Sequence, residues 1–587
     1  LDRTASSATV LELKDVSLQA GPSPDDPLLL SEVAARFPKQ HFAAILGPSG
    51  CGKSTLLKTI AGLREPTAGH LEWEGTNLAE EDMDPHEIGY VPQFSIAYEL
   101  LTVWENVEAA LRLRVSGLTA DAAEMRIEKI LHDVGLDEIE DRRVALLSGG
   151  QRRRLALALE MVSSPHLLLV DEVTSGLDPK AEDEIVKLMH RLSRTDDRIV
   201  LSVTHSLRHL ELYDSVLVLY QGCVAYHGAA DTLYHYFGVE QPEELFPRLA
   251  MRRPDEWQRS WTKYRTAYYS AAHLDAENST PAETPPAEPQ DAPAEAHRLP
   301  PAATPSAATQ FAVLLARRWK LFFRDRAAVL LQLALLLGFP CLVVIFALDG
   351  LPQLKTLAAP STGDFFHKMQ NEFEQISQFT KTGSLISGLV MFQVILLALM
   401  GSNNAAREIA GERLIFEKEK FAGLRPGAYV ASKAAFLGVL VVAQSVWMGV
   451  FVNLVVRFPG DLGAQLLVLV LLNAAVTAIC LGISSIMKSA EQASLVSVYL
   501  VGFQLPLSGA VLALPAFLGP IARPFIASYW GWSGFIYAMR DTRSYDAVLK
   551  VTQTSLSAVP VCLWVLAFHV IIGLLVAYTG SKSSRWD

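Results

Sequence analysis

The 587-residue chain is poor in cysteine: Cys51, Cys223, Cys341, Cys480 and Cys562 are the five it has. No two stand at a metal-binding spacing and the last three lie in apolar runs, so the sequence offers neither a disulfide framework nor a zinc site. It also lacks an excess of positive charge. Against 62 Asp and Glu there are 51 Lys and Arg, a net charge of −11. That balance speaks against a nucleic-acid partner, which leaves a basic patch or stripe. No cleavable signal-peptide pattern opens the chain, where Leu-Asp-Arg-Thr leads into a polar stretch. The first residue is not Met, which leaves room for residues upstream. Finally, no Phe, Tyr or Trp occurs between Leu11 and Leu30.

What is present divides into two populations. Residues 1–240 have ordinary globular composition. Runs at 11–18, 42–46, 167–170 and 199–203 read as strands, and 121–134 and 151–162 as helices. Strands alternating with helices predict an α/β domain with a largely parallel sheet, ending near Gly238. Residues 241–310 read as a linker, polar at first. From 276 to 308 it is dominated by Pro, Ala and Glu, as in Pro281-Ala-Glu-Thr-Pro-Pro-Ala-Glu-Pro289, a composition that builds no core.

Residues 311–587 carry the long apolar runs. An amphipathic stretch at 311–326 with Arg317, Arg318, Lys320, Arg324 and Arg326 suits a membrane surface. Six predicted spans follow, near 327–348, 384–402, 434–456, 462–486, 493–514 and 556–579. Each is close to the roughly 18–20 residues a helix needs to cross a bilayer. The segment 516–537, with Pro520, Pro524, Tyr529, Trp530 and Trp532, reads as re-entrant or interfacial rather than spanning. Counting it as a seventh span would put the chain ends on opposite sides. With the amino terminus inside, Arg407, Arg413, Lys418, Lys420, Arg425 and Lys433 also fall inside. Arg457 alone marks the third-to-fourth connection, as the positive-inside rule expects.

The first domain carries phosphate chemistry. Gly47-Pro48-Ser49-Gly50-Cys51-Gly52-Lys53-Ser54-Thr55 is a complete P-loop between a buried strand and a helix. Its glycines let backbone amides approach phosphates at a helix amino terminus. Lys53 is expected on the β- and γ-phosphates and Ser54 on magnesium. Leu167-Leu-Leu-Val-Asp171-Glu172 is an apolar strand ending in two acids, which places Asp171 towards magnesium and Glu172 beside the attacking water. Leu147-Ser148-Gly149-Gly150-Gln151 opens a further helix whose start is a second anion-binding terminus.

That last motif matches the signature sequence of ATP-binding-cassette (ABC) ATPases letter for letter, and the other motifs resemble the same family. The resemblance implies an ABC ATPase domain of P-loop α/β fold binding ATP and Mg2+. It makes Gln93 in Tyr-Val-Pro-Gln a Q-loop ligand of magnesium and water, Asp178 in Ser-Gly-Leu-Asp the D-loop residue, and His205 a switch histidine on the γ-phosphate. The family's adenine-stacking aromatic, about two dozen residues before the P-loop, has no counterpart in Gln19-Ala-Gly-Pro22.

An ATPase ahead of an all-α, six-span ABC-2-type membrane domain resembles the ABCG, or White, half-transporters. So do Tyr-His-Tyr-Phe-Gly ending at Gly238, Glu412-Arg-Leu-Ile-Phe416 with Glu419 and Tyr429, and Ser508-Gly509 with Pro515. The resemblance implies a dimer, a homodimer in the simplest case, because each ATP site takes a signature loop from a partner. It also implies a cavity between spans two and five, for which Leu397, Met400, Gln504 and Leu507 are candidate lining residues, or else packing residues. His569 is the one ionisable residue well inside span six. Spans with few ionisable side chains favour an apolar or amphipathic cargo: a lipid, a glycolipid or another amphiphile, exported by a protein of a bacterial inner membrane with its ATPase in the cytoplasm. The alternatives are a glycan exporter and an ATPase that acts mechanically on an external partner.

Overall fold

The structure is a computed structural model that describes residues 11–21, 23, 25–81, 83–94, 96–272, 274, 304–348, 365–510, 514–515 and 517–584. The chain forms two compact units: residues 1–306 with Lys418–Leu424, and Ala307–Glu417 with Arg425–Arg585.

The first unit is built on two sheets. β1 (Leu11–Gln19), β2 (Leu28–Phe37), β4 (Ala68–Trp73) and β5 (Thr76–Asn77) form an antiparallel sheet in the order β2-β1-β4-β5. The second sheet runs β10-β9-β3-β8-β7-β6, from β3 (His41–Leu46), β6 (Ile88–Val91), β7 (Leu167–Asp171), β8 (Ile199–Val203), β9 (Ser215–Tyr220) and β10 (Cys223–Gly228). Its first five strands in sequence pair in parallel, and β10 returns antiparallel on β9. β3, β7 and β8 are buried at every position, which explains their uninterrupted apolar sequences. The register Val91↔Val170, Asp171↔Val203 and Ile45↔Val203 puts the carboxyl ends of four strands at one level. In such sheets that edge is where ligands bind.

Helix starts follow local chemistry. α1 (Lys53–Ile60) begins straight after Gly52, which holds φ 103°, a left-handed conformation that favours glycine. α2 (Val103–Arg114) starts in a Thr102/Glu105 capping box and α4 (Gly149–Met161) in a Ser148/Gln151 box. α3 (Ala120–Val134) stops at left-handed Gly135. α5 (Pro179–Ser193) has Asp178 as its cap, accepting from the Lys180 and Ala181 amides, with proline at its first position.

After α6 (Ala230–Phe237) the stretch expected to begin a linker is folded. α7 (Leu245–Ala250) and α8 (Pro254–Ala271) follow, and α8 packs on β10. The cause is a set of aromatics set into polar sequence: Trp257 and Trp261 are buried, with ring centroids 5.0 Å from Phe237 and 5.4 Å from Tyr226 respectively. The Pro/Ala/Glu-rich 276–303 lies outside the described residues.

Also in this unit, Glu160 on α4 is 2 % exposed and takes Arg114 at 2.9 Å and Lys418 at 2.8 Å. Burial acts to raise its pKa, and the two cations overcome that and hold it well below the usual carboxylate range.

The second unit is helical. α9 (Ala307–Arg324) is amphipathic. α10 (Arg326–Ala347), α13 (Pro426–Val456), α14 (Leu462–Ile486) and α19 (Val559–Ser583) are each long and apolar enough to cross a membrane, as is the stretch Phe379–Phe421. That stretch overlaps α11 (Phe365–Ala405), which begins well before the span predicted at 384–402, and α12 (Arg413–Phe421); residues 349–364 lie outside the described residues. Five such candidates are found among the described residues, where six spans are expected. The missing one is the fifth: α15 (Ala490–Leu507) reaches 18 residues but is diluted by Glu491, Gln492, Gln504 and Pro506, and 511–513 lie outside the described residues. The 516–537 segment holds α16 (Gly519–Ala522) and the 11-residue α17 (Ala527–Tyr537), too short to cross. α18 (Arg543–Val551) follows.

Small residues let α14 and α19 meet closely. A Cβ on Gly482 would lie 3.0 Å from the Gly573 carbonyl oxygen, and one on Gly573 would strike the Ala478 backbone. Amides join four helices. Gln332 donates to Asn404 (2.7 Å), Asn404 to Gln444 (2.9 Å), Gln444 back to Gln332 (3.0 Å), and Asn473 to Ser445 (3.1 Å) and Gln444 (3.4 Å). Glu408 is buried between Arg318, whose Nη2 donates to it at 2.8 Å, and Lys433 at 3.0 Å. Lys433 also reaches Glu412 at 2.6 Å.

Candidate functional site

The P-loop wraps the carboxyl end of β3. Lys53 is buried and donates to the carbonyls of Gly47 (2.8 Å) and Pro48 (2.9 Å). Ser54 Oγ donates to Asp171 Oδ1 at 3.0 Å, and Tyr90 OH to Asp171 Oδ2 at 3.3 Å. Burial pushes the pKa of Asp171 up, and the Ser54 hydroxyl draws it back only in part. A cation here would favour the ionised form.

Glu172 follows Asp171 at the strand end with φ 48°, a left-handed conformation uncommon for a side chain of this size. Its amide is held by the Val203 carbonyl at 3.1 Å. Both carboxylate oxygens are engaged. Gln93 Nε2 donates to Oε2 at 3.0 Å, and His205 Nε2 lies 2.6 Å from Oε1. The Gln93 backbone carbonyl in turn accepts from Arg153 on α4. Three strand ends (β6, β7 and β8) thereby aim one carboxylate.

A cavity of about 350 Å³ lies over this edge, lined by Ser49, Gly50, Gly52, Lys53, Ser54, Thr55, Glu172, His205, Leu28, Leu29, Gln221 and Gly222. Its size and its array of P-loop amides suit a nucleoside triphosphate. The Ser54 hydroxyl and Asp171 carboxylate are hard oxygen donors side by side. They suit Mg2+, which binds through one or two protein oxygens and completes its shell with phosphates and water.

The signature residues are elsewhere. Ser148 and Gly149 are exposed, none of residues 147–151 lines the cavity, and a Cβ on Gly149 would lie 3.7 Å from Leu177 Cδ2. Asp178 is spent as the α5 cap. Of the residues expected to line a membrane cavity, Leu397 and Met400 are fully buried in the single chain and Gln504 accepts from the Ser528 amide at 3.0 Å. Leu507 is half-buried. The first three are committed to packing within one chain. On the same two helices Leu399, Tyr499 and Phe503 are left open. Sequence reasoning also missed Tyr90 and Arg153, whose roles come from strand pairing and from a helix packed at long range, and Glu408, whose basic partners Arg318 and Lys433 lie on other helices.

Comparison with known proteins places two family models on the chain: "ABC transporter" over residues 30–175 and "ABC-2 type transporter" over 309–538. The ABC transporter ATP-binding/permease protein Rv1747 of Mycobacterium tuberculosis is 31% identical over 502 residues, 83% of this chain and 53% of that protein. The sulfate/thiosulfate import ATP-binding protein CysA of Pectobacterium atrosepticum is 31% identical over 252 residues, 40% of this chain and 75% of that protein. Among solved structures, the dimeric post-hydrolysis state of the ATP-binding cassette MJ0796 bound to ADP and Pi is 28% identical, with a TM-score of 0.34, covering 38% of this chain and 98% of that one. The chain spans about half the length of the mycobacterial relative. It belongs to the ABC transporter family, with a cassette ATPase domain ahead of a multi-pass ABC-2-type membrane domain.

Proposed function

We propose that the chain is an ABCG-like half-transporter that couples ATP hydrolysis to export of a lipid, glycolipid or other amphiphile, from the cytoplasmic side of a bacterial inner membrane. The observation that carries the ATPase part is the carboxylate of Glu172, held between Gln93 and His205 at the rim of the P-loop cavity.

Lys53 and the P-loop amides bind the β- and γ-phosphates and hold the terminal phosphoryl group in line with a water beside Glu172. Glu172 orients that water and accepts its proton as the oxygen bonds to phosphorus and the bond to the leaving ADP oxygen breaks. His205 fixes one carboxylate oxygen and Gln93 the other, so the base does not rotate away. Mg2+, held by Ser54 and Asp171, would neutralise charge on the phosphates.

The exposed Ser148–Gly149 helix start, outside its own cavity, supports assembly with a second copy whose signature loop completes the site. The apolar cargo is supported by spans with few ionisable side chains.

The test is ATP hydrolysis by the full chain in liposomes across a panel of lipids and amphiphiles, with Glu172→Gln as control. Stimulation by one amphiphile class, dependent on Glu172, is the expected result. Hydrolysis equal to that of the control under every condition would overturn the reading.

A further inference from the structure

The cavity lining has two chemically different parts. One carries Lys53, Ser54, Glu172 and His205; the other carries Leu28 and Leu29 of β2 and the β9–β10 turn, Gln221-Gly222. With the triphosphate on the P-loop amides, the second part is the lining left for the base. Among the described residues it holds no Phe, Tyr or Trp, and the sequence from Leu11 to Leu30 supplies none.

This part is nonetheless built rigidly onto the P-loop. Gly222 donates to the Cys51 carbonyl at 3.0 Å, and Ser31 donates to the Gly222 carbonyl at 2.9 Å. Gly52 and Gly222, both at positive φ, press against the Leu29 carbonyl, so closely that a Cβ on either would lie 2.8 Å from it. β2 and the turn are thereby fixed against the start of α1. On this frame Leu30 and Val33 are fully buried, whereas Leu28 is 54 % exposed at the cavity. Gln221, at φ 47°, is exposed at the rim.

We propose that Leu28 is the nucleobase platform of this ATPase and that, with Gln221 the one side-chain amide among the described residues lining that part, the site discriminates weakly between adenine and guanine. This rests on reading the cavity as the nucleotide site. An isobutyl group covers one face of any base through dispersion and burial, without the stacking that an aromatic ring adds. Strong discrimination needs buried donors and acceptors matched to one base edge. A carboxamide at the rim offers both a donor and an acceptor, and satisfies the edges of adenine and guanine alike.

The experiment measures ATP and GTP dissociation constants of the full chain in nanodiscs, on a Glu172→Gln background that stops turnover, with Lys53→Ala as a second control. We expect ATP and GTP to bind within about threefold of each other. Leu28→Tyr should tighten both by roughly 5-fold or more, the low end of the value of a base–aromatic stack, and Leu28→Ser should weaken both. ATP bound more than about tenfold tighter than GTP, or Leu28 variants that bind as the parent does, would overturn the platform. If Lys53→Ala also binds as the parent does, the nucleotide-site reading itself fails. If Lys53→Ala abolishes binding while the Leu28 variants are silent, only the platform fails.

Discussion

His205 Nε2 lies 2.6 Å from Glu172 Oε1, and the two side chains reach each other from the ends of adjacent strands. Because Gln93 takes the other oxygen, the carboxylate has one orientation. Glu172→Gln keeps the shape and removes the basicity. Hydrolysis should fall by roughly 10³-fold while ATP binding persists, checked by phosphate release alongside equilibrium binding.

His205→Ala removes one of the two orienting contacts and leaves the base in place. The expected loss in kcat is smaller, roughly 100-fold, with KM for ATP changed much less. A loss as deep as that of Glu172→Gln would assign His205 more than positioning.

Two buried histidines make the ATPase unit acid-sensitive. His41 Nε2 lies 2.7 Å from Ser215 Oγ, and His227 Nδ1 2.9 Å from Tyr269 OH. Burial pushes His41 down to about 4, with Asp214 opposing, and His227 down to about 3, with His41 and Arg265 adding to the effect. Both folded pKa values lie below the ordinary 6.5, so the unfolded chain binds more protons once the pH drops below 6.5. Each histidine then costs stability at up to ~1.4 kcal/mol per pH unit, down to about pH 4 for His41 and 3 for His227. The melting temperature of the full chain between pH 7 and 4.5 should fall, and His227→Gln should reduce the slope.

Glu160 is the common partner of Arg114 and Lys418, and all three are buried. Glu160→Ala leaves two cations without their carboxylate and should destabilise the ATPase unit by about 3–5 kcal/mol. Combining Glu160→Ala with Arg114→Met should recover part of the loss. Denaturant unfolding followed by the fluorescence of Trp257 and Trp261 reads both variants.

Gly573 has no room for a side chain against Ala478, whereas a Cβ on Gly502 would meet open space. Gly573→Ala should cost about 1–3 kcal/mol and lower the unfolding temperature in detergent. Gly502→Ala should not lower it.

The cluster read for phosphate chemistry was legible because its motifs are local. A glycine-rich turn after a buried strand, and two acids at the end of another, keep their meaning whatever surrounds them, and Lys53, Ser54, Asp171 and Glu172 meet as that chemistry implies. The Arg153–Gln93 contact and the Arg114–Glu160 pair were not legible, because each joins residues 46 or more positions apart on elements with no shared pattern. α8 was read as polar because its buried Trp257 and Trp261 are diluted by charged neighbours on the open face. Leu397 and Met400, read as lining a cavity or else as packing residues, are buried within the chain, and the sequence could not choose between the two for the opposite reason. In a helix apolar on every side, sequence carries little phase information, and the face turned to its neighbours cannot be told from the face turned away.

The ring of carboxamides formed by Gln332, Asn404 and Gln444, extended to Asn473, acts as a keyway for four helices. Turning any one of these helices by a single residue swings its amide through about 100°, out of the ring and towards hydrocarbon, where nothing replaces the lost partners. Helices α10, α11, α13 and α14 are therefore geared at this depth. They shift as a block or slide along their axes, and a motion that demands independent rotation has to fall on helices outside the ring.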